Sequence, residues 1–548
     1  MSRSVGSPSG WLLGSVALFV TLTTGCAAPE DVAPSPSDTG GDGAADTGAD
    51  AKVDGADAGP ECTTGGTDVR GCGRCGKQKR TCVSGKWAAW GSCADEVEGA
   101  ECSLGEKRTT DCGNCGKSND TCDTTTCTWN VGACTGEGEC APGTEETSTA
   151  SCTTAGEIRT RTCDDKCKFS AYSDCAAPKG WLTTSDPPSG FEPRYGAVTV
   201  FDGTRPIVWG GAAVDFFGDT TALGDGATYD IGADKWTLLP SGGPGGRAFA
   251  CGVFGKGKMI VWGGVAGGSA TSFSLQADGA LYDPATKTWS TMTTTGAPSA
   301  RFSPGCVWSS TTSEMIVWGG CTTIDSTGSC TTWAADGGAY DPVKNTWTAL
   351  PTAPGGFAAR AAHSMVWSGT EALIWGGGTD LAEYKDGLRY EPVAKTWTTL
   401  PAAPSGLVGR LGHASVFTDK ELFVYGGAEL SSGTALGDGA RYLPGGSWTL
   451  VATPSSSTFA SPERYLPTSW YGAGKVWVWS GLDSSFSMTK GGASYEIATG
   501  TWAAMPTTGE PTPRAFPAFV WTGKEAFLFS GIDYDFSETL KGGAIFRP

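Results

Sequence analysis

Basic charge is scarce in this chain: 39 Lys and Arg stand against 57 Asp and Glu, for a net charge of −18. No basic stretch breaks the acidity, so nothing would neutralise a phosphate backbone, and nucleic acid is not an expected partner. Histidine is scarcer still, with two residues. Long apolar runs are missing as well. The run near the N-terminus, Trp11 to Leu22, has about 12 residues and is too short to span a bilayer. Glycine is what the chain has in excess, at 83 of 548 residues, together with 22 Trp and 31 Pro. That mixture points to many short strands joined by tight turns rather than to helices. A length of 548 residues exceeds what one core organises, so two or more folded units are expected.

The apolar run follows Arg3 and precedes Thr23-Thr24-Gly25-Cys26, which is the layout of a secretion signal. Small residues ending in Gly-Cys resemble a bacterial lipobox, although Thr23 stands where Leu is usual and Leu22 lies one place earlier. The resemblance implies lipidation of Cys26, with acyl chains contributing roughly 0.8 kcal/mol per buried methylene. A plain secretion signal is the alternative. Ala27 in place of Asp implies no retention at the inner membrane, by analogy with enteric bacteria, so an outer-membrane address is expected. Residues 27–60 hold almost no large apolar side chain and read as a disordered acidic linker.

Of the 21 cysteines, sixteen fall between Cys62 and Cys175, in three units that delimit a Cys-rich region over 61–175. Cys72-x-x-Cys75 and Cys112-x-x-Cys115 admit zinc, but the third unit drops the second Cys and the leader implies an oxidising compartment. Eight disulfides at roughly 2–4 kcal/mol each are the expected reading, with connectivity left open. Trp87-x-x-Trp90-x-x-Cys93 followed by Arg108 resembles the Trp–Arg layer of thrombospondin type 1 modules. The region is expected to act as a rigid stalk or adhesive module.

From residue 176 to 548 a unit of about 50 residues recurs. Seven segments open on Arg194, Arg247, Arg301, Arg360, Arg410, Arg464 and Arg514. Each continues into an apolar strand, a tight turn and a second strand ending in a small pair, from Trp209-Gly210-Gly211 to Phe529-Ser530-Gly531. Six units then carry a Tyr and a Trp, from Tyr229 and Trp236 to Tyr495 and Trp502. Apolar strand, double glycine, Tyr and Trp together resemble the kelch repeat, which implies an all-β, seven-bladed β-propeller. The seventh unit stops at Phe546-Arg547-Pro548 without its Trp strand, whereas Trp181-Leu182-Thr183 supplies one at the other end. That N-terminal strand is expected to close the ring and remove the open edge.

In such a blade the loop between strands two and three shares a face with the loop entering the innermost strand. These loops are long and variable and carry Phe216, Phe217, Phe273, Trp333, Tyr384, Phe486, Tyr534 and Phe536, which suits ligand stacking or simple cover of the blade tops. The seven arginines admit two readings. They form a cationic ring for carboxylates, or each pairs with the Asp that opens a third strand: Asp225, Asp278, Asp336, Asp386 and Asp438. Blades six and seven lack that Asp, which singles out Arg464 and Arg514 for ligand contact. His363 and His413 occupy one position of adjacent blades. Kelch-type copper oxidases resembling galactose oxidase need two His, two Tyr and a Cys–Tyr link, and no Tyr-His dipeptide is present here. The fold also resembles sialic-acid mutarotase propellers, without an acid–base constellation that stands out. Cys321 and Cys330 bracket one loop and are expected to bond; Cys251 and Cys306 are expected as buried thiols.

The candidate ligand residues are thus Arg464, Arg514, His363, His413, Phe216, Trp333, Tyr384 and Tyr534; no catalytic residue, cofactor or metal is singled out. The expected function is non-catalytic binding at the bacterial cell envelope, to an extracellular or periplasmic protein or glycan. The alternative is a secreted or periplasmic carbohydrate-active propeller enzyme.

Overall fold

A computed structural model describes residues 62–548 apart from 73–75, 95–99, 104–105, 124, 153–156, 176–177, 215–219, 268–272, 326–327, 460 and 534–537. The expectations for Cys26, the linker, Phe216, Phe217, Tyr534 and Phe536 lie outside the described residues. The described chain forms two compact units, one ending at Pro178 and one spanning Lys179–Pro548.

The N-terminal unit has no apolar core of ordinary size and is organised by small hairpins. Thr67–Cys72 pairs with Gly76–Val83, Lys107–Cys112 with Gly116–Cys122, and Glu145–Ser148 with Arg159–Thr162. Each repeat carries two internal disulfides: Cys62–Cys82 and Cys72–Cys93, Cys102–Cys122 and Cys112–Cys134, Cys140–Cys163 and Cys152–Cys175. Cys115 bonds Cys167 and ties the second repeat to the third. Cys112 and Cys115 therefore part company, and the zinc alternative fails there. Aromatic–arginine stacking recurs in all three repeats. Arg80 sits 4.9 Å from the ring of Trp87 and 4.4 Å from that of Trp90, Arg108 lies 4.2 Å from Trp129, and Arg161 lies 4.2 Å from Phe169. Arg108 thus serves the second repeat rather than the first, and Phe169 and Tyr172 replace tryptophan in the third. Each of these arginines also meets a carboxylate: Asp68, Asp120 and Glu146.

The second unit is a seven-bladed kelch-type β-propeller of four-stranded antiparallel sheets. Blade 1 comprises Val198–Phe201, Pro206–Trp209, Gly226–Asp230 and Lys235–Leu238. The innermost strands of blades 2 to 7 are Cys251–Gly255, Gly305–Ser309, Ser364–Trp367, Ala414–Phe417, Thr468–Gly472 and Ala518–Trp521. The second strands, such as Pro206–Trp209 and Leu422–Tyr425, are buried throughout, apart from a half-buried first residue in blades 2, 3 and 6, because neighbouring blades cover both their faces. Fourth strands are exposed except at their tryptophan, as in Lys235–Leu238.

Tyr and Trp of the third and fourth strands stand directly opposite each other and stack at 4.7–5.2 Å in blades 1 to 6, as Tyr390 on Trp397 and Tyr340 on Trp347 illustrate. Such pairs contribute roughly 0.5–1.5 kcal/mol beyond their burial. Blade 7 borrows its fourth strand from the other end of the unit: Gly180–Thr183 pairs with Gly543–Arg547, Trp181 opposite Phe546 at 4.9 Å. The closure strand is as expected, and it leaves the ring without an open edge.

The double glycine has a steric cause. Gly210 and Gly211 have φ of 70° and 93°, and a Cβ on Gly210 would lie 2.8 Å from the Arg247 carbonyl of the next blade. In blades 6 and 7, Ser480 and Ser530 accept this conformation and instead use their hydroxyls to accept from the backbone N–H of Arg514 and Arg194.

Cys321 bonds Cys330 as expected. Cys251 and Cys306 correct the sequence reading: they form a disulfide between the innermost strands of blades 2 and 3. Innermost strands converge at the axis, which brings the two Cα atoms to 5.9 Å.

Candidate ligand site at the channel mouth

The repeated arginine organises the approach to the channel. Its side chain is buried in all seven blades. In blades 1 to 5, Nη1 meets the Asp225, Asp278, Asp336, Asp386 or Asp438 carboxylate at 2.6–2.9 Å. Nη1 also donates to the carbonyl of the first glycine of the pair, as Arg194 does to Gly210, and Nε donates to the carbonyl two residues upstream, as Arg247 does to Gly245. The guanidinium thus fastens the entering loop to its own blade. These five arginines are scaffold, and no open cationic ring surrounds the channel.

The two residues after each arginine form the rim. The second of them, Gly196, Phe249, Ser303, Ala362, Gly412, Leu466 or Phe516, is left-handed in every blade, with φ of 47–62°. For a residue with a Cβ this conformation costs roughly 1–2 kcal/mol. What holds it is a girdle of backbone hydrogen bonds from blade to blade. The N–H groups of Gly196, Phe249 and Ser303 donate to the carbonyls of Phe516, Gly196 and Phe249, and those of Gly412 and Leu466 to Ala362 and Gly412. Side chains overlie the glycines of the girdle: a Cβ on Gly412 would fall 2.4 Å from the Tyr465 ring.

Above this girdle lies a cavity of about 300 Å³ whose wall is mainly apolar. Tyr195, Phe249, Phe302, Tyr465, Leu466 and Phe516 supply the rim, and Trp333 and Phe273 come down from the long loops. Cys321 and Cys330 line it too, so their disulfide braces the hairpin that presents Trp333. Asp380 is the carboxylate among the lining residues. A second cavity of about 380 Å³ lies along the innermost strands of blades 4 to 7, lined by Ser364, Ser415, Thr468 and Ser469 among others.

His363 and His413 reach the mouth cavity, and His413 borders both. Each imidazole stands edge-on to a buried tryptophan, His363 to Trp318 at 5.3 Å and His413 to Trp375 at 5.0 Å. Burial, with the charges of Arg360 and Arg410 nearby, lowers both to about 3, so both are neutral near pH 7. Their ring nitrogens are buried without hydrogen-bond partners.

The sequence-based candidates separate on this geometry. Trp333, His363 and His413 come together at the cavity. Tyr384 does not reach it: its ring lies 4.2 Å from the Arg360 guanidinium, which Phe357 covers at 3.8 Å on another side. Arg464 and Arg514 are buried, at 0 % and 3 % exposure, and desolvation lowers each to about 10. The rim residues that sequence reasoning missed stand in the repeat openings themselves, directly after the arginine. Their variation from Tyr-Gly to Ala-Phe to Phe-Ser was the available signal.

No curated protein matches the chain. Among solved structures, the structure of YjhT is similar at 15 % identity, covering 59 % of this chain and 99 % of that chain, with a TM-score of 0.44. The model of the Attractin/LZTR1 β-propeller family matches residues 171–438, so the closure strand and blades 1 to 4 are similar to that family.

Proposed function

We propose that this protein is a non-catalytic binding protein of the bacterial cell envelope that holds its ligand, a protein or glycan, at the channel mouth on the long-loop face. The observation that carries this reading is the cavity: a concave, aromatic-walled site of about 300 Å³ on a rigid ring. Aromatic walls recognise sugar faces and apolar side chains alike. Burial holds the lining histidines neutral near pH 7, so they present the ligand with an uncharged wall. In this reading Cys26 carries the lipid anchor at the outer membrane, residues 27–60 are the tether, the disulfide-rich unit is the stalk and the propeller is the head.

The test is a glycan and peptide array probed with the intact chain, followed by Phe302→Ala and Trp333→Ala. Each substitution should weaken binding by roughly 30-fold, as for a residue at the centre of an interface. Unchanged binding in the double variant, or stoichiometric copper in the purified protein, would overturn the reading.

A further inference from the structure

The seven blades supply their own controls for the arginine site. In every blade the N–H of the first residue of the small pair donates to the carbonyl of the residue that opens the third strand. That residue is Asp225, Asp278, Asp336, Asp386 and Asp438 in blades 1 to 5, Gly491 in blade 6 and Gly542 in blade 7. The hydrogen-bond register is therefore common, but the last two blades lack the side chain and differ in backbone: Gly491 and Gly542 are left-handed, with φ of 76° and 75°, and none of the five aspartates is.

The two exceptions differ. In blade 6 the guanidinium has turned: Arg464 Nη2 donates to the Lys490 carbonyl, and the Glu510 carboxylate accepts from the Gly491 N–H at 2.6 Å and from Trp479 Nε1. A carboxylate of the chain already stands there. In blade 7 the guanidinium keeps the orientation of blades 1 to 5. Arg514 Nη1 donates to Ser530 and Gly542 carbonyls at 3.1 and 3.2 Å, as Arg194 Nη1 does to Gly210 and Asp225. Among the described residues no carboxylate meets Arg514, and no acceptor lies on its Nη2. A Cβ on Gly542 would meet no described atom within 4 Å, so no side chain covers the backbone beside the guanidinium. The Asp side chains in that place in blades 1 to 5 are 33–69 % exposed, so the place opens to solvent.

We infer that blade 7 holds a carboxylate-binding seat, in which the ligand's carboxylate takes the place of the absent aspartate against Nη1 and Nη2 of Arg514. The pairing is the planar, two-point contact that guanidinium makes with carboxylate. The Ser530 and Gly542 carbonyls beside it disfavour a doubly charged anion. The inference deepens the long-loop-face reading: Phe516, two residues beyond Arg514, lines the mouth cavity.

The test measures thermal unfolding of the full chain in acetate, chloride and sulfate at equal ionic strength. Acetate at about 100 mM should raise Tm over chloride by roughly 1–2 °C through mass action, and sulfate should not. Arg514→Gln removes the two-point donor and should abolish the acetate increment, whatever its baseline Tm. Asp278→Gly opens a second seat and should roughly double it. Equal Tm in acetate and chloride, an undiminished increment in Arg514→Gln, an unchanged one in Asp278→Gly, or an equal effect of sulfate would each overturn the assignment. None of these outcomes bears on the aromatic cavity, whose test is the array.

Discussion

The two units of this chain solve the same problem, ordering a glycine-rich backbone in short strands, by different means. In the N-terminal unit the hairpins are too small to cover one another, and the cross-links are covalent, reinforced by arginines held between a carboxylate and an aromatic ring. In the propeller each sheet is sandwiched between two others, so burial dominates: Trp209, Trp262, Trp318, Trp375 and Trp479 are all essentially inaccessible. Arginine shows the contrast in one residue type. Arg80 has an exposure of 28 % and lies on the surface of its hairpin, whereas Arg194 is fully buried and bridges backbone carbonyls and a carboxylate. A domain that cannot bury surface uses bonds that need no burial.

That difference predicts how the two halves fail. The largest effect is expected from reductant. Loss of disulfides at roughly 2–4 kcal/mol each exceeds the stability of a small unit, so its calorimetric transition should vanish. The propeller, with its two described disulfides, should keep a cooperative transition at lower temperature. A reduced protein that retains both transitions would break the comparison.

A smaller effect comes from single aromatic truncations. Trp262 is fully buried, lies 5.3 Å from Trp347 and donates to the Ala277 carbonyl. Trp262→Ala should cost about 3–5 kcal/mol in urea unfolding of the propeller. Trp129→Ala in the N-terminal unit removes a half-buried ring that stacks on Arg108 and packs on Ala100 and Cys102, and should cost about 1–2 kcal/mol.

The last effect is gradual and lies in pH. His363 and His413 titrate at about 3 when folded, below their ordinary value near 6.5. The unfolded chain therefore binds more protons between these values, and propeller stability, complete above pH 6.5, declines as pH falls toward 3. Asp120 in the N-terminal unit is lowered to about 2, chiefly by its bond from Ser118, so that contribution is lost only as pH falls from about 4 toward 2. Between pH 6.5 and 4.5 the propeller Tm should drop by a few degrees and the other transition should hold still. His363→Gln with His413→Gln should flatten the propeller's slope in that window.

Most of the fold was legible because a propeller repeats its constraints. In blades 1 to 5 the first glycine of the pair answers to the next arginine's carbonyl and the second to that of the residue after its own blade's arginine, and the tyrosine–tryptophan pairs answer to one register. The candidate site was legible only in part. Trp333 announces itself as an aromatic in a long loop, yet Tyr384 in a similar loop packs on Arg360. Phe249, Phe302 and Phe516, one or two residues after a repeated arginine, carry no mark of a site in the sequence, and they prove to be part of the wall of the cavity.

The chain's local patterns, read alone, determined the blade count and the closing strand at Trp181 and offered the five arginine–aspartate pairs as one of two readings, since each depends on contacts repeated at fixed spacing. Tertiary structure alone decided the Cys251–Cys306 bond, the aromatic cavity and the difference between Arg464 and Arg514. Those features arise where separate blades converge on one axis or where a distant carboxylate, Glu510, happens to approach, and no spacing along the chain encodes that meeting.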